Sequence, residues 1–428
     1  MPELLPVRAW LPNPAIVEPT DVIAPVYDTL TEADFARFGP KPYNAAGFVA
    51  RPPEVAPAEF IEQAFKKLDT ACRIGAFIQD ASPSLYVYGI RYSPPTDIEE
   101  TIAPEQRKQY YLLLGLVGAI DLSTSRPDDI APHERTFPDR VEERIRLTDR
   151  TRMHFAPILA GYTMKDHAIN DLLERFLGID RRAIRFESKV QPAVEAELDG
   201  TVHRIWRIDD PRLISELQRL IGARRLLILD GHHRFAAAMA RHRRGQASRP
   251  LFMAVEYGDR ALLLRPWHRV VHPSPLPWAP LRSRLGEAFD EVTEEPGRPD
   301  ADALVRLAAR PLPTDRRGFL VVGPDATLRV SRKVREPSED HFDVLHSFLE
   351  GDLRLDPEHL RFIRSPRQAI EAIRNSGSQT PAGLAILMPP LSADEIDSRA
   401  FTVHLPMAQK STMFLPKVAE GMMFAPAE

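Results

Sequence analysis

Hydrophobic and polar residues alternate along the chain in patterns that predict specific helices and strands. Residues 57–78 place apolar side chains at helical spacing, which predicts an amphipathic helix. Residues 84–92 alternate as a strand does, and residues 110–122 are almost continuously apolar, as in a buried strand. The N-terminal part of the chain therefore predicts a sheet with a helix packed against it.

The rest of the chain continues this mixture of helix and strand patterns. In chain order it predicts a surface helix over residues 139–154, a strand over 155–162, a hairpin over 196–208, a helix over 209–221, a buried strand over 226–229, a helix over 235–244, and hairpins over 251–264 and 319–331. Asp199-Gly200 is a strong turn signal for the first hairpin. Asp209 and Asp210 can cap the 209–221 helix, which has Pro211 in its first turn.

These elements predict an α+β fold with mixed or antiparallel sheets and packed helices. The length of 428 residues favours about two or three domains or one elaborated unit. A proline-rich stretch over residues 273–280 is the best candidate for a boundary. We therefore expect an N-terminal region at 1–125, a central region at 126–272 and a C-terminal region at 273–428.

Composition narrows the classes of function. The net charge of -4 provides no long-range attraction for nucleic acid or anionic lipid. Cys72 is the only cysteine, which excludes an internal disulfide and fits a reducing compartment. Residues 1–10 lack a signal-peptide pattern, and the longest apolar run, 110–120, is too short to span a membrane as a helix. We expect a cytoplasmic protein without a membrane partner, for which nucleic acid is not a favoured ligand.

The most informative local sequence is Asp-Gly-His-His-Arg, between the predicted 226–229 strand and the 235–244 helix. The start of a helix has free backbone N–H groups and attracts anions such as phosphate. Asp230 offers a carboxylate for a hydroxyl proton or Mg²⁺, and His232, His233 and Arg234 offer donors to phosphoryl oxygens. The structural alternative is that Asp230 only caps the helix and the histidines lie on the surface.

A second charged segment lies between Pro132 and Pro138 and predicts a rigid loop. Here Glu134 could bind a metal ion or a substrate amine, and His133 and Arg135 could contact phosphate. The alternative is a solvated cluster of charges, which is common on protein surfaces.

Three other segments could contribute to the same site. Lys410, Ser411 and Thr412 could clamp a phosphate, although no glycine-rich P-loop precedes them. The segments Tyr27-Asp28 and Trp267-His268-Arg269 could each line a pocket, or could each belong to a turn or a packed edge. The chain has no dinucleotide-binding, zinc-protease, serine-hydrolase or protein-kinase motif.

Several separated blocks resemble a known family, the domain of unknown function 1015. They are Ala-Pro-Val-Tyr-Asp at 24–28, Pro-His-Glu-Arg-Thr at 132–136, Trp-Arg-Ile at 206–208, Leu-Asp-Gly-His-His-Arg-Phe at 229–235 and Lys-Ser-Thr-Met-Phe-Leu-Pro-Lys at 410–417. The resemblance covers nearly the whole chain. It is poor over residues 338–400, and Phe235 replaces a tyrosine that is usual in the family.

The Asp-Gly-His-His-Arg block is also similar to that of free serine kinases in the ParB/sulfiredoxin-like superfamily. This resemblance implies a ParB/sulfiredoxin-like element and a kinase that makes phosphoserine from free L-serine, with pyrophosphate or a nucleotide as donor. Asp230 would be the base at the serine hydroxyl, and His232, His233 and Arg234 would position phosphates.

The sequence therefore predicts a phosphotransferase in which the segments near His133, Asp230 and Lys410 converge on one pocket. The expected ligands are a small phosphate donor, a small hydroxyl acceptor and Mg²⁺ or another divalent cation, with Asp230 and Glu134 as metal ligands. Two alternatives use the same pocket: a phosphatase or nucleotide hydrolase, and a ParB-like regulatory module that binds nucleotide or DNA without turnover. The sequence leaves the oligomeric state open.

Overall fold

The structure, a computed structural model, describes residues 2–95, 98, 110–180, 187–297, 299–336, 338–374 and 383–428. The strands in this part of the chain are β1 (Leu4–Leu5), β2 (Trp10–Pro12), β3 (Phe77–Gln79), β4 (Leu85–Tyr92), β5 (Tyr111–Ile120), β6 (Ile130–Pro132), β7 (Met153–His154), β8 (Ile158–Tyr162), β9 (Val194–Leu198), β10 (Thr201–Ile208), β11 (Leu226–Asp230), β12 (Leu251–Glu256), β13 (Leu263–Pro266), β14 (His268–Val271), β15 (Glu291–Glu294), β16 (Arg316–Val322), β17 (Thr327–Lys333), β18 (Leu360–Ile363), β19 (Leu384–Leu387), β20 (Thr412–Leu415) and β21 (Ala425–Pro426).

The helices over the same described ranges are α1 (Pro19–Val22), α2 (Glu32–Phe38), α3 (Ala46–Val49), α4 (Pro57–Arg73), α5 (Pro138–Thr151), α6 (Ala168–Leu177), α7 (Pro211–Gly222), α8 (His232–Arg243), α9 (Trp278–Ala288), α10 (Ala301–Ala308), α11 (His341–His346), α12 (Pro366–Arg374) and α13 (Ala393–Ser398). In these ranges, no helix combines the length and the apolar composition needed to span a membrane.

The larger sheet carries the elements that build the site. Its strand order is β6-β11-β8-β12-β5-β4-β10-β9, and β1 pairs with β5. The pairs β6–β11 and β8–β12 are parallel, whereas the other neighbours are antiparallel. The sheet is thus mixed, and the predicted α+β class is confirmed, while the ParB/sulfiredoxin-like element stays a prediction. Strands from the expected regions 1–125 and 126–272 share this sheet.

Both faces of the larger sheet are buried, which explains why its central strands are almost continuously apolar. All ten residues of β5 are buried. One face packs against α6, α7 and α8 through residues such as Leu173, Leu217 and Phe235. The other face packs against a large cluster that includes Phe48 of α3 and Phe424 near the C-terminus. The segment around Phe424 therefore packs against the larger sheet.

A second sheet with the order β15-β17-β16-β19-β14-β18 forms the C-terminal part, and its strands are antiparallel throughout. Helices α10 and α12 cover one face through Leu304 and Ile370. Strand β20 leaves this region and pairs with β13, and Phe414 of β20 packs in the large cluster on the first sheet. Residues 410–417 therefore lie against the larger sheet.

Most predicted elements are confirmed, including β4, β5 and the hairpins β9–β10 and β16–β17. The hairpin predicted over residues 251–264 is wrong. Strand β12 lies inside the larger sheet between β8 and β5, and β13 pairs with the distant β20. Both strands were recognisable from their composition, but their partners are far away in sequence.

Three predicted helix boundaries are also wrong. Helix α5 ends at Thr151 rather than at residue 154, because Arg152 adopts a positive φ of 58° and Met153–His154 form β7. Helix α4 ends at Arg73 rather than at residue 78, because Gly75 adopts a positive φ of 77° and the chain continues into β3. Helix α8 begins at His232, three residues before its predicted start. The His-His-Arg sequence is therefore the first turn of a helix, not a loop.

Candidate functional site

The corner between β11 and α8 is the centre of the site. Asp230 is the last residue of β11, Gly231 follows with φ of 91°, and His232 begins the helix. A side chain at position 231 would be strained by this φ, and its Cβ would lie 3.0 Å from Nε and Nη2 of Arg234. Glycine therefore allows the chain to turn directly from the strand into a helix whose N-terminus faces Asp230.

The parallel pairing of β6 and β11 brings the second segment to the same edge of the sheet. Ile228 pairs with Pro132, so the next residue, His133, lies beside the end of β11. His133 is fully buried, and its Nδ1 lies 2.6 Å from the carbonyl oxygen of Ile228. That carbonyl can only accept, so Nδ1 carries the proton and Nε2 accepts from the Thr412 hydroxyl at 2.6 Å.

This assignment also fixes the neighbouring imidazole. His232 Nε2 lies 3.3 Å from the protonated Nδ1 of His133, so His232 accepts there and carries its own proton on Nδ1. Burial lowers the pKa of His133 to about 4 and lowers the pKa of His232 well below its usual value. Both rings are therefore neutral at physiological pH, and His133 holds Thr412 beside the end of β11.

Asp230 is held by two cations. Lys417 donates to its Oδ1, and Arg234 Nη2 donates to Oδ2 at 3.3 Å. Arg234 is itself fixed, because Nη1 donates to the carbonyl oxygens of Ala156 and Pro157 at 3.1 and 2.9 Å. Burial raises the pKa of Asp230, but Lys417 and Arg234 outweigh it and hold the pKa well below its usual range. The carboxylate is therefore charged at neutral pH.

Glu134 holds the Lys410 loop. Its Oε2 accepts from the backbone N–H of Ser411 at 3.2 Å, and the N–H groups of Lys410 and Thr412 also stabilise the charged carboxylate. Burial is the stronger effect and raises the pKa of Glu134 above its ordinary value. A main-chain hydrogen bond joins the same two segments, since the Met407 N–H donates to the His133 carbonyl oxygen at 2.7 Å. Glu134 thus positions the loop that presents Lys410.

The opposite wall comes from the N-terminal turn at Tyr27–Thr29. Lys410 Nζ donates to Asp28 Oδ2 at 3.2 Å, and this cation outweighs the effect of burial and lowers the pKa of Asp28. Lys410 Nζ also lies 5.2 Å from the ring centre of Trp267, whose Nε1 donates to the Thr412 carbonyl at 3.0 Å. Tyr27, the first residue of this turn, is buried, and its ring centre lies 4.1 Å from the Arg144 guanidinium carbon.

His233 lies on the rim. Its Nε2 accepts from the Phe137 N–H at 3.1 Å, and its ring stacks on the Phe137 ring at 5.9 Å. Burial lowers the pKa of His233 to about 4, so this ring is also neutral at physiological pH.

The structure places most of the predicted site residues around one cavity. Those that line it are Tyr27, Asp28, Glu134, Asp230, His232, His233, Arg234, Lys410 and Thr412. His133 lies directly behind this wall, bonded to Thr412. Ser411 is buried in the loop, where its N–H donates to Glu134 and its hydroxyl donates to the carbonyl oxygen of Ala408 at 2.7 Å.

Three predicted residues lie elsewhere. Arg135 points to solvent. His268 lies on β14, where its Nδ1 accepts from the Met388 N–H at 3.0 Å and its side chain lines a different pocket. Arg269 is fully buried behind the site and donates to the carbonyl oxygens of Trp267 and Lys410 at 3.1 and 2.9 Å. Arg269 supports the Lys410 loop rather than facing the cavity.

Two charged lining residues, Lys417 and Arg364, were not among the predicted site residues. Lys417 ends the block at 410–417, and its place in that block was the available signal. Trp267, in the segment 267–269 that could line a pocket, lies between β13 and β14 and lines the cavity, whereas His268 on β14 lines a different pocket. Arg364 falls in the poorly matched 338–400 region and gave no signal.

The residues around the cavity fit Mg²⁺ only together with phosphate oxygens. Across the described ranges, no group of three or more His, Cys, Asp and Glu side chains is arranged to hold a metal ion. Asp28 and Asp230 both line the cavity and are close enough to affect each other's charge. Mg²⁺ commonly binds one or two carboxylates plus substrate phosphates and water, and this pair meets that need. Glu134 is largely occupied by loop N–H groups.

Several solved structures match this chain at low sequence identity. A free serine kinase in complex with AMP matches with 15% identity, 71% of this chain and 90% of that chain covered, and a TM-score of 0.38. A conserved hypothetical protein from Pyrococcus furiosus matches with 14% identity, 71% and 94% coverage and a TM-score of 0.37. SbnI with a C-terminal truncation, from Staphylococcus aureus, matches with 13% identity, 70% and 82% coverage and a TM-score of 0.35.

A search of the curated proteins finds no match. The family model described as protein of unknown function (DUF1015) matches residues 4–347. This match spans β1 to the end of α11 and includes the β6 and β11 segments that build the cavity. The chain belongs to the DUF1015 family.

Proposed function

We propose that the protein is a phosphoryl-transfer enzyme that phosphorylates free L-serine or a similar small hydroxyl compound, with pyrophosphate or a nucleotide as donor. One observation carries the proposal: a charged Asp230 and the N-terminus of α8 face a cavity into which Lys410 and Lys417 also project. Phosphoryl transfer requires mainly alignment and charge neutralisation, and this cavity offers both.

The donor phosphates would bind at the start of α8. The first N–H groups of a helix have no partner within the helix, and α8 is twelve residues long. Lys410 and Lys417 add two mobile cations, and Arg364 adds a third beside Trp267. Mg²⁺ held by Asp230 and Asp28 would neutralise further charge on the phosphates.

The acceptor hydroxyl would be oriented by a carboxylate. Asp230 is the first candidate for the base, because it lies at the end of β11 beside the helix N-terminus. Its low pKa makes it a weak base that mainly fixes the hydroxyl in line with the phosphorus, which suits a reaction whose proton moves late. Asp28 lies across the cavity with one cationic partner in place of two and is the second candidate.

A donor and acceptor screen tests the proposal. Pyrophosphate, ADP and ATP are each incubated with serine and other small hydroxyl compounds, with Mg²⁺, and products are followed by phosphorus NMR. We expect phosphoserine, or another phosphomonoester, only when the acceptor is supplied. Release of inorganic phosphate without an acceptor would instead identify a hydrolase, and salt-dependent DNA binding without turnover would identify a regulatory module.

Variants then test the carboxylates. Asp230→Asn should abolish turnover while the fold remains, and Asp28→Asn should separately reveal whether the second carboxylate is required. Asp21→Asn is the matched control, since Asp21 pairs with Lys41 at 2.6 Å on the surface. Substantial turnover in Asp230→Asn would remove Asp230 as the base.

A further inference from the structure

A second polar cavity lies at the start of β11, at the other end of the strand from Asp230. Strand β11 begins there at Leu226 and ends at Asp230, so the two cavities lie at the two ends of one strand. The second cavity has a volume of about 190 Å³, and Leu227 and Gly161 form its floor. Its walls are polar: Arg224, Arg225, Thr163, Tyr257 and Asp397 line it.

Two buried donors in this cavity have no acceptor in the part of the chain that the structure describes. One is the hydroxyl of Tyr257, a residue that is 9% exposed, and the other is Nε of Arg224; both atoms are buried and belong to residues that line the cavity. Buried donors are normally satisfied, so a bound ligand or an ordered water molecule is the expected partner of each group. Arg225, which stacks 4.2 Å from the Phe401 ring centre, adds a second guanidinium at the mouth.

We propose that this cavity binds inorganic phosphate. Two guanidinium groups and the hydroxyls of Tyr257 and Thr163 supply the charge and the donors that a tetrahedral anion needs. Asp397 adds an acceptor at the same cavity, and it interacts electrostatically with both Arg225 and Tyr257. Inorganic phosphate keeps a P–OH group at neutral pH, which can donate to Asp397, whereas sulfate has no proton to donate.

The proposal is independent of the reaction at Asp230. A chain of packed rings does connect the two places: the Tyr257 ring lies 6.0 Å from that of Phe414, which lies 5.8 Å from that of His133.

Equilibrium dialysis with radiolabelled inorganic phosphate tests the site. A Lys410→Gln background weakens phosphate binding beside Asp230 and leaves the second cavity unchanged. In that background we expect one bound phosphate per chain, with affinity lowered about tenfold or more by Tyr257→Phe and by Arg225→Gln, because each removes a hydrogen bond to a charged group. Arg219→Gln, on the exposed face of α7, is the matched control and should have no effect.

Sulfate competition tests the choice of ligand. Sulfate should displace phosphate at least tenfold less effectively than unlabelled phosphate, and Asp397→Asn should remove most of this difference. The proposal is overturned if the Lys410→Gln protein binds no phosphate, or if its binding is insensitive to both Tyr257→Phe and Arg225→Gln. Equal competition by sulfate and phosphate in the protein with Asp397 would overturn the role assigned to that carboxylate and, with it, the selection of phosphate.

Discussion

Replacing Lys417 by methionine should destabilise the protein through Asp230. The side chains of Lys417 and Asp230 are 25% and 17% exposed, so their ion pair is largely desolvated. Removing one partner of a buried pair leaves a buried charge and costs about 3–5 kcal/mol, and partial exposure with the remaining Arg234 contact places this pair near the lower end, at about 3 kcal/mol. We expect that loss in the free energy of unfolding from urea titrations at pH 7.

The pH dependence of the loss identifies its cause. In the folded wild-type protein the pKa of Asp230 is depressed, so its stabilisation is present above the unfolded value near 3.9 and is lost as pH falls below it. Burial without Lys417 raises that pKa, so the Lys417→Met protein is relieved by protonation and the difference shrinks towards pH 4. Lys41→Met is the control, since its pair with Asp21 is 33% and 56% exposed and should cost at most about 1 kcal/mol. Equal losses in the two variants would refute the argument.

Three further predictions concern the same corner. Gly231→Ala should lose about 1–2 kcal/mol for its φ of 91° plus a contact penalty against Arg234, and urea titration should show a larger loss than in Gly245→Ala, where φ is 76° and no atom lies within 4 Å. Thr412→Val should cost about 1–3 kcal/mol in the same assay, because Nε2 of buried His133 loses its donor; an unchanged stability would contradict the tautomer assignment. The pKa of His133, lowered to about 4, makes stability fall from about pH 6.5 towards pH 4, since the unfolded chain takes up the proton first; His133→Gln should reduce this slope by up to about 1.4 kcal/mol per pH unit.

Local patterns predicted the elements of this fold well because each carries its own evidence. The buried strand β5 is apolar along its whole length, and the Asp199-Gly200 sequence predicts the turn of the β9–β10 hairpin. Pairing between distant strands leaves no such trace. Strand β13 looked like the second half of a hairpin, yet Leu264 pairs with Phe414 because burial of β20 on the first sheet outweighs local closure.

The candidate site follows the same division. Asp230, Gly231 and the histidines could be identified from sequence because a strand, a glycine and a helix start occur consecutively. The partners of these residues could not, since Lys417 lies 187 residues from the Asp230 carboxylate that it binds. The predicted role of Glu134 as a metal ligand stays a prediction. Glu134 contacts the N–H groups of the Lys410 loop, which is 277 residues away in sequence, so no local pattern could predict these contacts.

The ion pairs around the cavity bear on how a substrate could enter. The open space is about 50 Å³, which accommodates about four water molecules at 10–15 Å³ each and is too small for a phosphoryl donor. Lys410 and Lys417 have long, flexible side chains in this wall, and each is 25% exposed. A phosphate that draws both ammonium groups away from their carboxylates would enlarge the space and, in the same step, free Asp28 and Asp230 for a metal ion or a hydroxyl. Before binding, the Lys410–Asp28 and Lys417–Asp230 ion pairs neutralise the buried charges. Both carboxylates would then become available only when the donor binds.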